Sequence, residues 1–191
     1  MNNLAHYVRV YDNVFDEETC KTMIELFDKE TPITTPNMRK SSHKWEQDYR
    51  SFMELDIARQ DTYKELIQPY YARVRQVYDH YKSVVDSSFF PQQFAFEDAR
   101  LKRYEANDHD QFGWHIDVGD KASSSRYLVM FAYLNDVEEG GETEFQSEFE
   151  FTVKPVRGRM VVFPPMWMFA HRGKKPISGP KYILSTYLHY V

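Results

Sequence analysis

The chain has 191 residues, 42% hydrophobic and 16% aromatic, with a formal net charge of -5. That length supports one unit with a core that needs no staples, and the acidic balance disfavours nucleic acid and anionic membrane as partners. A single cysteine, Cys20, excludes a disulfide framework and a thiolate-rich zinc site.

In chain order, the first ten residues lack the basic and apolar regions of a secretory leader. No apolar run reaches membrane-spanning length, so a cytoplasmic protein is expected. Residues 6–14 read as a strand through Tyr7, Val8, Val10, Tyr11 and Val14. Asp16 is placed to cap a helix with Glu17 and Glu18 in its first turn. Cys20, Met23, Ile24 and Phe27 recur at helical spacing, which makes Cys20 a core residue. Two prolines and several Ser, Thr and Asn residues make 31–48 a loop, with Trp45 and Tyr49 as candidate walls of a cleft. Residues 61–82 read as a second helix, capped by Asp61, with a tyrosine-rich stripe for packing against a sheet. Pro69 inside that pattern is expected to kink or divide it.

From residue 94 the texture changes to short strands separated by turns. A first long strand holds Phe94, Phe96, Leu101 and Tyr104, and 113–118 a second. Residues 126–135 are almost continuously apolar, hence covered on both faces. Further strands are expected at 143–153, 159–163 and 181–190. About eight strands without alternating helices imply an antiparallel sandwich or barrel, with the jelly roll as the natural candidate. The expectation is a mainly β fold, a double-stranded β-helix of cupin type with an N-terminal helical layer. It spans one domain over 1–191, helix-rich in 1–92 and a jelly-roll core in 93–191.

Gly113-Trp114-His115-Ile116-Asp117 carries the sequence's His-x-Asp. On an extended strand His115 and Asp117 project to one face, and an imidazole with a carboxylate makes two-thirds of a facial triad for non-haem Fe(II). His171 ends the apolar run Phe163-Pro164-Pro165-Met166-Trp167-Met168-Phe169-Ala170 and is the candidate third ligand. His109 is the rival, but lies in a polar loop; His189 sits close to the last residue of the sequence, beyond reach of the metal. Lys181, Ile183, Ser185 and Tyr187 share one face of the last strand. If that face lines a cavity, Lys181 there calls for an anion such as a dicarboxylate; otherwise it is a strand-end lysine that reaches solvent.

Taken together, residues 101–188 resemble the catalytic core of the prolyl 4-hydroxylase branch of the Fe(II)- and 2-oxoglutarate-dependent dioxygenases. The matching motifs run in family order: Leu101-Lys102-Arg103-Tyr104, His115-Ile116-Asp117, Arg126, Tyr133-Leu134-Asn135-Asp136, Glu139-Gly140-Gly141-Glu142, Val161-Val162-Phe163-Pro164, His171, and Gly179-Pro180-Lys181-Tyr182. The resemblance implies His115, Asp117 and His171 as iron ligands and Lys181 as the clamp on the distal carboxylate of 2-oxoglutarate. Tyr104 and Tyr133 would hydrogen-bond that cosubstrate, with Ser185 assisting. It implies Fe(II), 2-oxoglutarate and O2, with ascorbate as an accessory, and hydroxylation of peptidyl proline in a peptide or protein substrate with release of succinate and CO2. Retention of Asp117 points to hydroxylation rather than halogenation. Two departures stand near the expected substrate entrance: Asn107 where the family often has glycine, and the polar Asp108-His109-Asp110.

Other readings remain. The substrate could be a free amino acid or another small molecule, or the fold a non-catalytic jelly-roll binding module. Retention of both imidazoles, the carboxylate and the lysine argues against that module. Structural zinc prefers four closed ligands. Arg172, Lys174 and Lys175 form a basic cluster beside His171, the one feature that favours nucleic acid.

Overall fold

The computed structural model describes residues 4–29, 35–39, 50–146 and 151–191, and the backbone alone for 35–39. A short 3-10 turn at Leu4–Tyr7 leads into strand β1 (Arg9–Tyr11), and helix α1 spans Glu17–Lys29. Asp16 caps α1 by accepting the Thr19 N–H at 2.7 Å. Strands β2 (Thr35–Arg39) and β3 (Arg50–Asp56) follow, then helix α2 (Lys64–Val84), β4 (Phe94–Phe96) and β5 (Arg100–Tyr104). The remaining strands are β6 (Gln111–His115), β7 (Arg126–Tyr133), β8 (Thr143–Phe145), β9 (Phe151–Val153), β10 (Met160–Phe163), β11 (His171–Gly173) and β12 (Lys181–Tyr190).

All pairings among these strands are antiparallel, in the order β1-β10-β7-β12-β5-β3-β6-β11-β8-β9, with β2 beside β3 and β4 beside β12. The sheet curls into a nearly closed jelly-roll barrel with helices on its outside, the architecture expected from the strand pattern. Its two faces bury separate cores. Leu128, Met130 and Ala132 of β7 and Leu184 of β12 pack outward with Phe27, Tyr70, Val74, Tyr78 and Tyr81 of the helices. Val129, Phe131 and Tyr133 of β7 and Ile183 of β12 point inward with Phe145, Phe163 and Phe169. Alternation along each strand places one residue set in each core, so β7 is apolar almost throughout.

Several local expectations need correction. The 6–14 strand shrinks to three residues because Leu4–Tyr7 coils first. The proposed 31–48 loop contains β2, an edge strand where Pro36 is tolerated; Trp45 and Tyr49 lie outside the described residues. Asp61 belongs to a 3-10 turn, Asp61–Tyr63, and α2 has Tyr63 at its N-cap with no side-chain cap. The helix runs through Pro69, which lies early enough to forfeit one main-chain bond while the buried tyrosine stripe holds the rest. The 94–104 strand divides into β4 and β5, where Ala99 turns to accept the Ile57 N–H. Residues 143–153 are a hairpin partner set, β8 with β9, rather than one strand. No helix among the described residues is long and apolar enough to cross a membrane.

Gly158 joins the entry segment to the barrel. Its φ is +74°, its N–H donates to the Tyr133 carbonyl at 2.9 Å, and its own carbonyl accepts the Val14 N–H at 2.8 Å. A Cβ there would collide with the Phe15 carbonyl. Gly158→Ala should therefore lower stability by about 2–3 kcal/mol in urea denaturation. Gly179→Ala, with nothing within 4 Å of the new methyl, should be nearly neutral.

Candidate active site

His115 and His171 are brought face to face by the β6–β11 pairing. His171 lies opposite His115, and Gly173 opposite Phe112, so three steps along β6 match two along β11. This irregularity puts Phe112 and His115 on the same face, their rings stacked at 3.5 Å and 4°. Asp117 lies just beyond the end of β6, not within the strand. The Asp117 and Val118 N–H groups both donate to the Pro165 carbonyl at 3.2 Å. The Phe163–Ala170 run thus anchors the carboxylate segment and leads directly into His171.

The rings are oriented by main-chain acceptors. His115 Nδ1 lies 2.8 Å from the Gly113 carbonyl oxygen and His171 Nδ1 3.0 Å from that of Phe169. A carbonyl can only accept, so each Nδ1 carries the proton and each Nε2 lone pair faces inward. Asp117 Oδ1 stands 3.9 Å from His115 Nε2, and Oδ2 stands 3.5 Å from His171 Nε2. One ligand atom from each of the three residues lies within 4.8 Å of the others, and the group could hold a metal ion. Oδ1 accepts the Tyr187 hydroxyl at 2.8 Å, while Oδ2 is buried without a hydrogen-bond partner.

Burial, together with the neighbouring His171, pushes His115 down to about 3. Burial also lowers His171, against the pull of Asp117. For Asp117 burial acts upward, but His171, His115, Tyr187 and Lys102 outweigh it and hold the carboxyl below its ordinary value. One ionised carboxylate beside two neutral imidazoles, with one oxygen left unpartnered, is a donor set that fits Fe(II).

Beyond these groups lies a chamber with about 480 Å³ of empty space, counting its open mouth. Tyr104, Lys181 and Ser185 line it, as do Thr143, Lys102, Phe131 and Tyr187. Lys181 is fully buried at the start of β12, opposite Tyr104. Its Nζ donates to the Gly141 and Lys174 carbonyls at 3.0 and 3.1 Å and lies 4.6 Å from the Tyr104 ring centroid. No carboxylate lies within 4 Å of it among the described residues, and burial lowers its pKa to about 7, with Glu142 opposing. Such an ammonium is prepared for an incoming anion. Tyr133 does not line the chamber: its hydroxyl sits 2.6 Å from Thr143 Oγ1, and Thr143 presents the surface in its place. Ser185 Oγ donates to the Arg100 carbonyl at 3.4 Å.

Three polar groups at or beside the site were not singled out from the sequence. Lys102 and Thr143 stood inside or beside the quoted family motifs but were given no role of their own. Glu97 had no signal at all. It accepts both arms of the Arg126 guanidinium at 2.7 Å and also pairs with His189 at 2.8 Å. So held, Arg126 lies 3.8 Å over the Tyr187 ring and donates to the Asp117 carbonyl at 3.2 Å. His109 is exposed, and His43 lies outside the described residues. Asn107, at the position of the family's glycine, accepts the His109 and Asp110 N–H groups in a side-chain-closed turn. Asp110 is buried and pins that turn to Ser51. Two members of the basic cluster meet carboxylates: Arg172 pairs with Glu144 at 2.6 Å, and Lys174 reaches Glu142 and Glu144, while Lys175 donates to the Asp108 carbonyl.

Residues 99–189 match the family model described as 2OG-Fe(II) oxygenase superfamily. Solved structures share the fold. The viral collagen prolyl hydroxylase of Paramecium bursaria Chlorella virus-1, in its 2OG complex, is 20% identical with a TM-score of 0.67, covering 97% of each chain. A Trichoplax adhaerens prolyl hydroxylase, in complex with a peptide fragment of the hypoxia inducible factor oxygen degradation domain, is 13% identical with a TM-score of 0.73, covering 96% of this chain and 84% of that one. A Pseudomonas putida prolyl-4-hydroxylase is 14% identical with a TM-score of 0.67, covering 97% and 94%. No curated protein matches the sequence significantly.

The buried imidazoles have a measurable consequence. Between about 3 and the ordinary 6.5 of His115, the unfolded chain binds more protons than the folded one. Stability of the metal-free protein should therefore fall as pH drops through that window, with the depressed Asp117 adding in the same direction at its lower end. Urea midpoints recorded across it should show this, with a shallower slope for His115→Gln; a flat profile in the intact protein would mean that the ring is solvated.

Proposed function

From the premise that this protein is a 2-oxoglutarate-dependent dioxygenase, with residues 99–189 belonging to the 2OG-Fe(II) oxygenase superfamily, we propose that it hydroxylates a prolyl residue of a peptide or protein. The observation that carries the reading is the pairing of the His115-Asp117-His171 donor set with a buried, carboxylate-free Lys181 in one chamber. The likeness in fold to prolyl hydroxylases supports the prolyl part. On this reading the helices and the barrel act as one catalytic unit.

His115, Asp117 and His171 would hold the metal ion. Tyr187 fixes the Asp117 carboxylate by its hydrogen bond, and Arg126 fixes Tyr187. The Lys181 ammonium holds the far carboxylate of 2-oxoglutarate, and Tyr104 and Thr143 shape the chamber around the cosubstrate. Phe131, Val129, Phe112 and Ile183 keep water from it. The side away from Lys181 opens to a groove, where the substrate C–H approaches. When bound, Fe(II) with 2-oxoglutarate and O2 supplies the oxidation: one oxygen atom enters the C–H bond as hydroxyl, and the other leaves in succinate as CO2 is released.

Two outcomes are expected. In anaerobic titrations of Mn(II)-loaded protein, 2-oxoglutarate should bind progressively more weakly as pH rises above about 7. Lys181 must then take up a proton to meet the carboxylate. Lys181→Met should weaken binding by roughly 30-fold or more, the effect of leaving one partner of a buried charge pair alone. Second, succinate release with Fe(II), 2-oxoglutarate and ascorbate should be stimulated by proline-rich peptides and vanish in His171→Ala. Turnover that is insensitive to peptide but lost in the variant would redirect the substrate to a free amino acid or another small molecule.

A further inference from the structure

The groove at the chamber mouth carries more positive charge than its own residues satisfy. Strands β3 and β5 run side by side with Glu54 opposite Lys102. Alternation puts Arg50, Phe52 and Glu54 on the same face as Arg100, Lys102 and Tyr104. With Phe112, Trp114 and Arg126 these residues line a solvent-open groove of about 1480 Å³ of empty space. Its walls are aromatic and its polar groups mostly charged.

The charges divide into matched and unmatched. Arg126 is held by both oxygens of Glu97, and Arg100 lies 3.4 Å from Glu97 and 3.9 Å from Glu54. Asp120 is engaged by the Ser123 N–H and hydroxyl at 2.9 and 2.7 Å. Asp117 belongs to the metal-binding group. That leaves Arg50 unmatched among the described residues and Lys102 with only a long, shared ion pair. Arg50 has no carboxylate within 4 Å among the described residues, and its Nε is buried without an acceptor. Its guanidinium lies 5.7 Å from the centroid of the Phe112 ring, the same ring that stacks on His115. Lys102 is 11% exposed, and its nearest carboxylate, Glu54, is 4.0 Å away and shared with Arg100. Lys102 borders both chamber and groove, whereas Arg50 borders the groove alone. An anion between them would lie where the substrate enters, one aromatic ring from the metal ligands.

We propose that the groove selects a substrate carrying a carboxylate close to the carbon that is oxidised, with Arg50 and Lys102 as the groups that read it. The proposal rests on the hydroxylase reading above and narrows its substrate class. The carboxylate could come from an acidic side chain flanking the proline or from the α-carboxylate of a C-terminal proline. Both present the same group to the same two cations. A partly buried Arg50 with no carboxylate partner among the described residues, and a Lys102 whose Glu54 partner is long and shared, favour such a ligand through charge-assisted hydrogen bonds that a neutral amide cannot match.

The test uses protein loaded with Mn(II) and 2-oxoglutarate without O2, and fluorescent proline peptides in matched pairs. One pair sets Asp against Asn beside the proline; the other sets a free C-terminal prolyl carboxylate against its amide. The acidic member of at least one pair should bind about tenfold more tightly. The preference should shrink with added salt, disappear in Arg50→Gln and survive in Arg50→Lys. Lys102→Met should reduce the same preference, and in Arg50→Gln the affinity of the neutral member should change little. Whichever pair shows the preference names the source of the carboxylate. Equal binding within both pairs would overturn the proposal, as would an Arg50→Gln loss that is the same for acidic and neutral peptides. Hydroxylation, read separately in air with Fe(II) as the gain of one oxygen atom in peptide mass, tests the prolyl reading. Acidic preference without hydroxylation keeps the carboxylate selection and sinks the prolyl substrate; hydroxylation without acidic preference does the reverse.

Discussion

A buried carboxylate with one satisfied oxygen sets the terms for the rest of this molecule. Asp117 is 9% exposed, in a setting where burial alone would drive it towards the neutral acid. It remains ionised because two imidazoles, a tyrosine hydroxyl and a lysine surround it. Oδ1 is held by Tyr187, whereas Oδ2 is left open. A dry charge of this kind is costly unless something completes it, and a divalent cation shared with two neutral histidines does so. Every supporting contact, from Glu97 through Arg126 to Tyr187, positions that one group.

The barrel makes such a site affordable by burying both faces of its strands. Its outer face is sealed by the helices through Tyr70, Tyr78 and Tyr81, which frees the inner face to form a chamber instead of a filled core. The inner face then mixes apolar walls with a few charges at defined positions. Lys181 at one end and Asp117 at the other give the chamber a polarity that a dicarboxylate bridging to a metal would match. Main-chain carbonyls at Gly141 and Lys174 hold the ammonium without neutralising it.

The groove outside follows a different logic. Its nearby carboxylates meet Arg100, Arg126 and the turn around Ser123, which leaves Arg50 without one among the described residues and Lys102 with a long, shared pair to Glu54. The inner chamber, with a buried ammonium at one end and a carboxylate between two imidazoles at the other, fits a dianion bridging to a metal. The outer groove adds cations of its own, among them Lys102, which borders both groove and chamber.

The sequence alone determined the residue types and their order. His-x-Asp, the apolar run into His171, the glycine turn at 139–142 and the lysine opening the last strand were all legible, because each is a local pattern with a local physical cause. So were the two-sided burial of β7 and the Asp16 cap. Tertiary structure alone decided what depends on pairing and register. The β6–β11 irregularity aligned Phe112 with His115, and β8 and β9 separated where a single strand was expected. Thr143, not Tyr133, came to line the chamber, because Tyr133 turned its hydroxyl onto that threonine. Glu97 became the hub beneath Arg126 although nothing in its neighbourhood of the chain marks it. Side chains distant in sequence meet only through strand order, and strand order arises from burying two faces of one sheet at once, a condition that no local window of residues contains.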